Sequence, residues 1–254
     1  ARRAIGDLLL ESGEERAARS QYRAALRANP RDAVARYFLA AASHESPDAP
    51  PPEYVARLFD DYADRFEKHL VEVLQYRAPE LLWAAVADAA QPQGADWTVI
   101  DLGCGTGLAG RLARPFAARL TGVDLSADML AKAREKDIYD ELIEGDLTAA
   151  LLGHAGDVDL VMAADVFVYL GNLAPVLAAA RKALRPGGFM AFTVESLEGD
   201  SFRLSPTGRY QHSPGYVEGE AKAQGLSVVR REQVVLRYQS RKPVMGDVYV
   251  LRPA

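Results

Sequence analysis

A single cysteine among 254 residues excludes an internal disulfide and any zinc site built on paired thiolates. Lysine is scarce, six residues against 24 arginines, a bias best read as coding composition rather than function. Acidic side chains outnumber basic ones 35 to 30, for a formal charge of −5. That balance argues against a nucleic-acid partner or an anionic membrane surface. No apolar run approaches the roughly 20 residues of a membrane span, and the first residues carry no signal-peptide core. No carboxylate pair has glycosidase context and no His/Asp/Glu cluster has metal-ligand spacing, so no metal is expected. What is present, 49% hydrophobic and 26% charged residues, is the composition of a globular protein. The expected location is the cytoplasm, and a first residue other than methionine suggests a trimmed chain.

Proline divides the chain. Four prolines in the six residues Pro47–Pro52 cannot continue a helix and predict a linker over 46–52 of extended polyproline character. Before it, residues 1–12, 14–28 and 33–43 read as helices. Ile5, Leu8 and Leu9 share one face of the first; Ala17, Ala18, Tyr22, Ala25 and Leu26 share one face of the second. Gly13 suits a left-handed cap between them, and Pro30 stops the second helix. The spacing Gly6, Leu9, Ala18, Tyr22, Ala25, Pro30 resembles one tetratricopeptide (TPR) repeat, although Arg2 stands where that family places tryptophan. One and a half repeats cannot bury a solenoid core, so residues 1–45 are expected either to follow further repeats or to pack on the rest of the chain.

Residues 53–254 form a second unit. Apolar groups at 55, 58/59, 62, 66, 70 and 73/74 predict an amphipathic helix, and a second helix runs from Pro79 to about Ala90. Short apolar segments then alternate with helical ones: Thr98–Leu102, Leu120–Val123, Glu141–Glu144, Val158–Ala163 and Gly188–Val194. That rhythm predicts an α/β fold, a doubly wound and mostly parallel sheet with helices on both faces. Leu226–Leu236 and Gly246–Leu251, joined by Arg237–Met245, predict a closing antiparallel hairpin.

The chemistry-bearing segment is Val99-Ile100-Asp101-Leu102-Gly103-Cys104-Gly105-Thr106-Gly107-Leu108-Ala109-Gly110. A strand runs into glycines at alternate positions, where a ligand would need the space of a Cβ. Residues 105–110 also satisfy the G-x-G-x-x-G dinucleotide pattern, so a dehydrogenase is an alternative. Asp124, ending the second strand, would hold a ribose diol in either case. Three features tilt the balance. Asp101 puts a carboxylate beside the turn, which disfavours a pyrophosphate and suits a ligand with an ammonium and a sulfonium. Asp146, after the third strand, is placed to meet an adenine amine. The closing antiparallel hairpin is not what a second mononucleotide half would supply.

On the segment Asp101-Leu102-Gly103-Cys104-Gly105-Thr106-Gly107 the chain resembles the class I S-adenosylmethionine (SAM)-dependent methyltransferases, over residues 53 to the end. Leu58–Phe66 joined to the helical hairpin resembles the bacterial group that also carries TPR repeats. The resemblance implies a seven-stranded Rossmann-like sheet, SAM as cofactor and S-adenosylhomocysteine as product. It also implies roles by position. Gly103, Gly105 and Gly107, with Cys104 between them as a small spacer, wrap the methionine part. Asp124 holds the ribose, Leu125 and Met129 flank the adenine, and Asp146 meets its amine beside Leu147. The segment Ala163-Ala164-Asp165 with Val166–Tyr169 lines the mouth of the methyl-donor pocket. Tyr62, on the helix that folds over the cofactor, meets the ligand's carboxylate or amine. Residue by residue there are blander readings: Met129, Phe59 and Phe66 as core, Asp60, Asp61 and Asp64 as a solvated face, and Arg185–Gly188 as a helix-ending turn.

For the acceptor side, the insertion Arg209-Tyr210-Gln211-His212-Ser213 offers candidates, with 202 and 205–208 read as loop. His212 would be a general base and Tyr210 its neighbour in the site, unless His212 only flanks the cap of a helix beginning at Pro214. His69 and Tyr76 are further candidates. The expected acceptor is a small molecule or a peptide, with a possible protein partner on the TPR-like segment. The competing class is an interaction protein on a catalytically silent SAM fold.

Overall fold

The computed structural model describes residues 1–63, 66–67, 75–239 and 241–254. Helices α1 (Arg2–Glu11), α2 (Glu15–Ala28) and α3 (Ala33–Ala42) pack in sequence around Leu10, Ala18, Tyr22, Ala25 and Ala35. Gly6 is required by close approach: a Cβ there would stand 2.7 Å from the Tyr22 ring. Gly13 makes the turn with φ +82°, a conformation glycine adopts without penalty. The inward face of α1 is Gly6 and Leu10, not Ile5 and Leu8, which are 46% and 67% exposed. The periodicity was compatible with either stripe, and the close Gly6–Tyr22 contact selects the one that brings the helices together.

The proline-rich stretch is extended but fastened. Ser46 Oγ accepts the Leu204 amide at 2.9 Å, Pro47 O accepts the Tyr210 hydroxyl at 2.8 Å, and Asp48 O accepts the amides of Gly171 and Asn172. Helix α4 (Pro52–Asp60) follows, starting on proline at its first position, where no amide is needed. The long helix read through residue 70 is interrupted: Asp61 and Tyr62 form a turn. Asp64, Arg65, His69, Leu70 and the 73/74 positions lie outside the described residues. Helix α5 (Ala78–Ala90) covers one sheet face.

The sheet runs through β1 (Trp97–Leu102), β2 (Ala117–Asp124), β3 (Glu141–Glu144), β4 (Val158–Ala163) and β5 (Leu184–Ser196), all parallel, in the order β3-β2-β1-β4-β5. Between them lie α6 (Gly110–Ala113), α7 (Ala127–Glu135), α8 (Leu147–Leu151) and α9 (Ala174–Ala183). β6 (Phe202–Leu204) and β7 (Tyr210–His212) make a small hairpin, and α10 (Pro214–Ala223) leads into β8 (Leu226–Gln239) and β9 (Lys242–Pro253). β9 enters antiparallel beside β5, with β8 outside it.

Seven strands were expected and nine are described. The two extra ones, β6 and β7, occupy the insertion read as loop, and β7 extends the sheet by pairing with Glu195 and Ser196. Arg185–Gly188 is not a simple turn but an irregular first segment of β5, where the register with β4 shifts and Gly187 takes φ +84°. β8 and β9 run further than their apolar cores, meeting at Gln239↔Lys242, which places Arg237 inside a strand.

Alternation along the strands builds two cores. In β4, Val161 and Ala163 face the layer of α8, α9 and α10, whereas Leu160 and Met162 face α5. Every residue of β4 is therefore buried, as expected for a central parallel strand covered on both faces. Among the described residues no helix is long and apolar enough to cross a membrane.

Candidate functional site

The loop from β1 to α6 lies at the carboxyl end of the parallel strands. Gly103 and Gly105 have φ of +60° and +52°. A Cβ at Gly103 would strike Val166 at 2.5 Å, whereas at Gly105 the nearest group is the Phe66 ring at 3.7 Å. Both glycines border a cavity that Asp101, Tyr76, Phe66 and Ala164 also line. Gly107 serves differently: its Cβ position is 3.0 Å from Tyr139, and at Gly110 the Tyr139 hydroxyl would be only 2.2 Å away. These two glycines make room for a tyrosine rather than for a ligand. Cys104 is buried beneath the loop, and burial together with Asp101 and Asp124 pushes its thiol well above the usual range, so it acts as a spacer.

Asp124 braces that loop. One carboxylate oxygen accepts the Gly105 amide at 2.8 Å, and the other accepts the Ser126 amide at 2.9 Å. Burial pushes this carboxyl up, opposed by the Ser126 and Gly105 amides. The Leu125 amide also favours the ionised form, and the acceptor capacity of a carboxylate, about four lone-pair sites, exceeds these bonds and suits a vicinal diol. Ser126 caps α7 by accepting the Met129 amide, and its hydroxyl donates to Asp60 at 2.5 Å. Asp60 is thus the member of the acidic face that belongs to the site. Asp146 is exposed and caps α8 through the Ala149 amide. Leu125 is half-buried; Met129 and Leu147 are buried, Leu147 within the core.

Asp101 is the buried acid of the cavity, 1% exposed, and its Oδ2 accepts the Tyr139 hydroxyl at 2.7 Å. Burial pushes its carboxyl up to about 7, with Asp124 adding to the shift and Tyr139 opposing it. The unfolded chain ionises this group near the ordinary value of 3.8, while the native protein holds its proton to about 7. Between those limits the unfolded state binds fewer protons, so the contribution to stability is lost as pH rises. Relative to Asp101→Asn, the native protein should therefore lose stability from pH 4 to 7. Urea midpoints of both proteins across that range test this, and a rising difference would contradict it.

The segment above the loop is aromatic. Phe66 meets Phe59 and Tyr62 edge-on with centroids 6.2 and 5.3 Å apart, and Phe59 meets Tyr169 at 5.4 Å. Phe66 therefore covers the cavity rather than filling the core, and Tyr62 stands behind it. Glu67 accepts the Thr106 hydroxyl at 2.6 Å and also pairs with Lys136. Burial alone raises the Glu67 carboxyl, but the bonds from Lys136 and Thr106 hold it below the ordinary range.

The far wall begins at the end of β4. Ala163 is in the core, and Ala164 lines the cavity, its carbonyl accepting the Tyr76 hydroxyl at 3.4 Å. Asp165 then takes φ +59°, held by its amide donating to Thr193 at 2.8 Å. Its carboxylate accepts from Arg209 at 2.8 Å and from Arg237 at 3.3 Å. Glu195 Oε1 accepts from the same two arginines at 2.7 and 2.5 Å, and Arg209 also donates to the Tyr169 hydroxyl at 2.9 Å. Two cations and two anions share this buried wall. Both arginines meet the same oxygen of Asp165, Oδ1. Glu195 and Arg237 escaped the sequence reading, although an arginine inside Val234-Val235-Leu236-Arg237-Tyr238 is a signal that a charge enters an apolar layer.

His212 and Tyr210 do not join the site. His212 is fully buried, its ring stacked on Tyr216, with Nε2 bonded to Gly171 O at 3.2 Å. Burial lowers its pKa to about 4, against the opposing carbonyls of Gly171 and Leu170, so it stays neutral and has no route to an acceptor. Ser213 caps α10 through the Tyr216 amide, so His212 flanks a helix cap. Tyr210 is also fully buried, and its hydroxyl is held by Pro47.

A nucleotide-type cradle at the carboxyl ends of a β3-β2-β1-β4-β5 sheet, closed by an antiparallel β9, defines an α/β cofactor-binding protein. Comparison with known proteins narrows it. A methyltransferase-domain family matches residues 99–188. The malonyl-[acyl-carrier protein] O-methyltransferase of Enterobacter lignolyticus is 32% identical over 183 residues, 70% of this chain and 69% of that protein. The trans-aconitate 2-methyltransferase of Azoarcus sp. is 42% identical over 96 residues, 37% of each chain. The fold resembles that of the Burkholderia thailandensis 1,6-didemethyltoxoflavin-N1-methyltransferase solved with S-adenosylhomocysteine, at TM-score 0.62 and 17% identity over 83% of this chain and 93% of that one. The chain belongs to the class I SAM-dependent methyltransferase family, and SAM is its cofactor. The residues present suit that molecule: Gly103 and Gly105 border the cavity, Asp101 offers a carboxylate to a cationic ligand, and Asp124 offers the two oxygens of its carboxylate to a ribose.

Proposed function

We propose that this methyltransferase acts on a small carboxylic acid, held at the arginine wall of the cavity. The observation that carries this reading is that Arg209 and Arg237 both pair with Asp165, the residue that follows the cavity-lining Ala164. Three of the five N–H groups of Arg209 engage Glu195, Tyr169 and Asp165, which leaves two for an acceptor oxygen among the described residues. Planar guanidinium groups match carboxylates in a bidentate manner. Both curated relatives above are named for carboxylic substrates, a malonyl group and trans-aconitate.

SAM held by the glycine loop and Asp124 would supply a methyl carbon on a sulfonium, and a carboxylate oxygen would take that methyl as the S–CH3 electron pair returned to sulfur. A carboxylate is already ionised at neutral pH, so the chain need not accept a proton. Its task is orientation, an effect that can supply about 7–11 kcal/mol. The glycine loop and Asp124 hold one partner, Arg209 and Tyr169 hold the other, and Phe66 excludes water. Asp146, Leu125 and Tyr62 are proposed to border the adenosine and methionine ends of the cofactor. We also read α1–α3 as a TPR-type repeat and a half, on the buried Ala18 and the Gly6–Tyr22 contact.

The test uses SAM with a labelled methyl group and three acceptors: a malonyl thioester, trans-aconitate and catechol. Label is expected in base-labile methyl esters of the acids. Transfer to catechol with none to either acid would overturn the reading.

A further inference from the structure

We propose that the N-terminal helices are a positioning element of the acceptor site, acting through Tyr37 on Arg209. The proposal rests on the reading of Arg209 as an acceptor contact; the mechanical coupling to α3 is independent of it. Arg209 immediately precedes β7, in the turn of a hairpin with three residues per strand. Among the described residues β7 pairs with the main sheet over Glu195 and Ser196, with the Leu197 amide donating to His212 O. So short a hairpin is marginal by itself and takes its position from what packs on it.

What packs on it is the N-terminal segment. Tyr37 of α3, 3% exposed, donates its hydroxyl to the carbonyl of Gly208, the residue before Arg209, at 3.0 Å. The residue after it, Tyr210, donates to Pro47 O at 2.8 Å, and its ring lies 6.3 Å from that of Tyr37. Ser46 takes the Leu204 amide across the hairpin. Gly208 has φ +76° and is so closely covered that a Cβ would stand 3.1 Å from the Tyr54 hydroxyl and 3.2 Å from the Phe38 ring. The backbone is thus clamped on both sides of Arg209, by Tyr37, Phe38 and Pro47 from before residue 53 and by Tyr54 just after it.

The same segment fixes a partner of Arg209. Asp48 O accepts the amides of Gly171 and Asn172, just after the turn Phe167–Tyr169. Arg209 must reach Glu195, Tyr169 and Asp165 together, at 2.7, 2.9 and 2.8 Å, and that convergence requires its backbone and the Tyr169 turn to be held in register. Pre-organised side chains of this kind lose effect with displacements of about 1 Å.

The experiment is Tyr37→Phe in the full chain, which keeps the ring and removes the bond to Gly208. Side-chain NMR follows the Arg209 Nε–H, sheltered on Glu195; its exchange is expected to quicken about tenfold. Affinity for S-adenosylhomocysteine should stay within about twofold, while KM for the malonyl thioester rises about fivefold and kcat holds. Ser46→Ala, a milder change on the same clamp, should move both readouts in the same direction and serves if Tyr37→Phe folds poorly. Unchanged Arg209 exchange in both variants overturns the coupling, as does an equal loss of cofactor affinity. Faster exchange in a protein that methylates neither acid would leave the clamp standing and remove the carboxylate reading of the acceptor.

Discussion

Asp124→Ala should bind S-adenosylhomocysteine at least about 100-fold more weakly than the native protein, as calorimetry would measure directly. Two effects add. The carboxylate is the acceptor for the Gly105 and Ser126 amides, so its removal frees the cofactor loop from the end of β2. It also removes the group placed to take a ribose diol, and hydrogen bonds to charged groups are worth about 1.5–3 kcal/mol each. Asp124→Asn should fall between, since one oxygen and one amine cannot replace two acceptors. An alanine variant that binds as well as the native protein would show that the cofactor lies elsewhere.

Arg237→Met should destabilise the fold by about 3–5 kcal/mol, the cost of removing one partner from a buried charge cluster. Arg237 is 5% exposed on its side chain and bridges Asp165 and Glu195. Without it those two carboxylates share Arg209 alone, leaving an uncompensated buried charge. Urea denaturation measures the loss, and the double variant Arg237→Met/Glu195→Gln should recover part of it by restoring neutrality. A single variant within about 0.5 kcal/mol of the native protein would mean that water, not Arg237, compensates the acids. The cluster also ties down the side chain of Asp165, whose backbone is left-handed at φ +59°.

The cofactor half of the site was legible because it is local. Asp101 to Gly107 is a continuous strand and turn, and Asp124 and Asp146 each follow the end of a strand whose apolar pattern is plain. The proposed acceptor half was not. Asp165, Glu195, Arg209 and Arg237 come from the ends of β4 and β5, an insertion and the closing hairpin, and only the sheet order brings them together. His212 attracted attention for its chemistry, yet burial against Gly171 makes it a packing residue. Tyr139 was invisible as a site residue, since nothing in Ile138-Tyr139-Asp140 announces that Gly107, Gly110 and Gly122 form its seat.

The scarcity of cysteine and the absence of a long apolar run exclude disulfides and a helical membrane span without reference to any fold. Periodicity determines the alternating helices and strands, and the Gly103–Gly107 turn read with Asp101 and Asp146 points to the cofactor class, because each depends on neighbours in sequence. The single cysteine proved to lie in that turn as a spacer. Tertiary structure alone decided that the proline-rich stretch is a clamp and that α3 grips the hairpin bearing Arg209. It also decided which charges are buried together. The clamp depends on contacts between residues more than 150 positions apart and the charge cluster on pairs up to 72 apart, and a chain's local pattern carries no record of which distant partner will desolvate a given side chain.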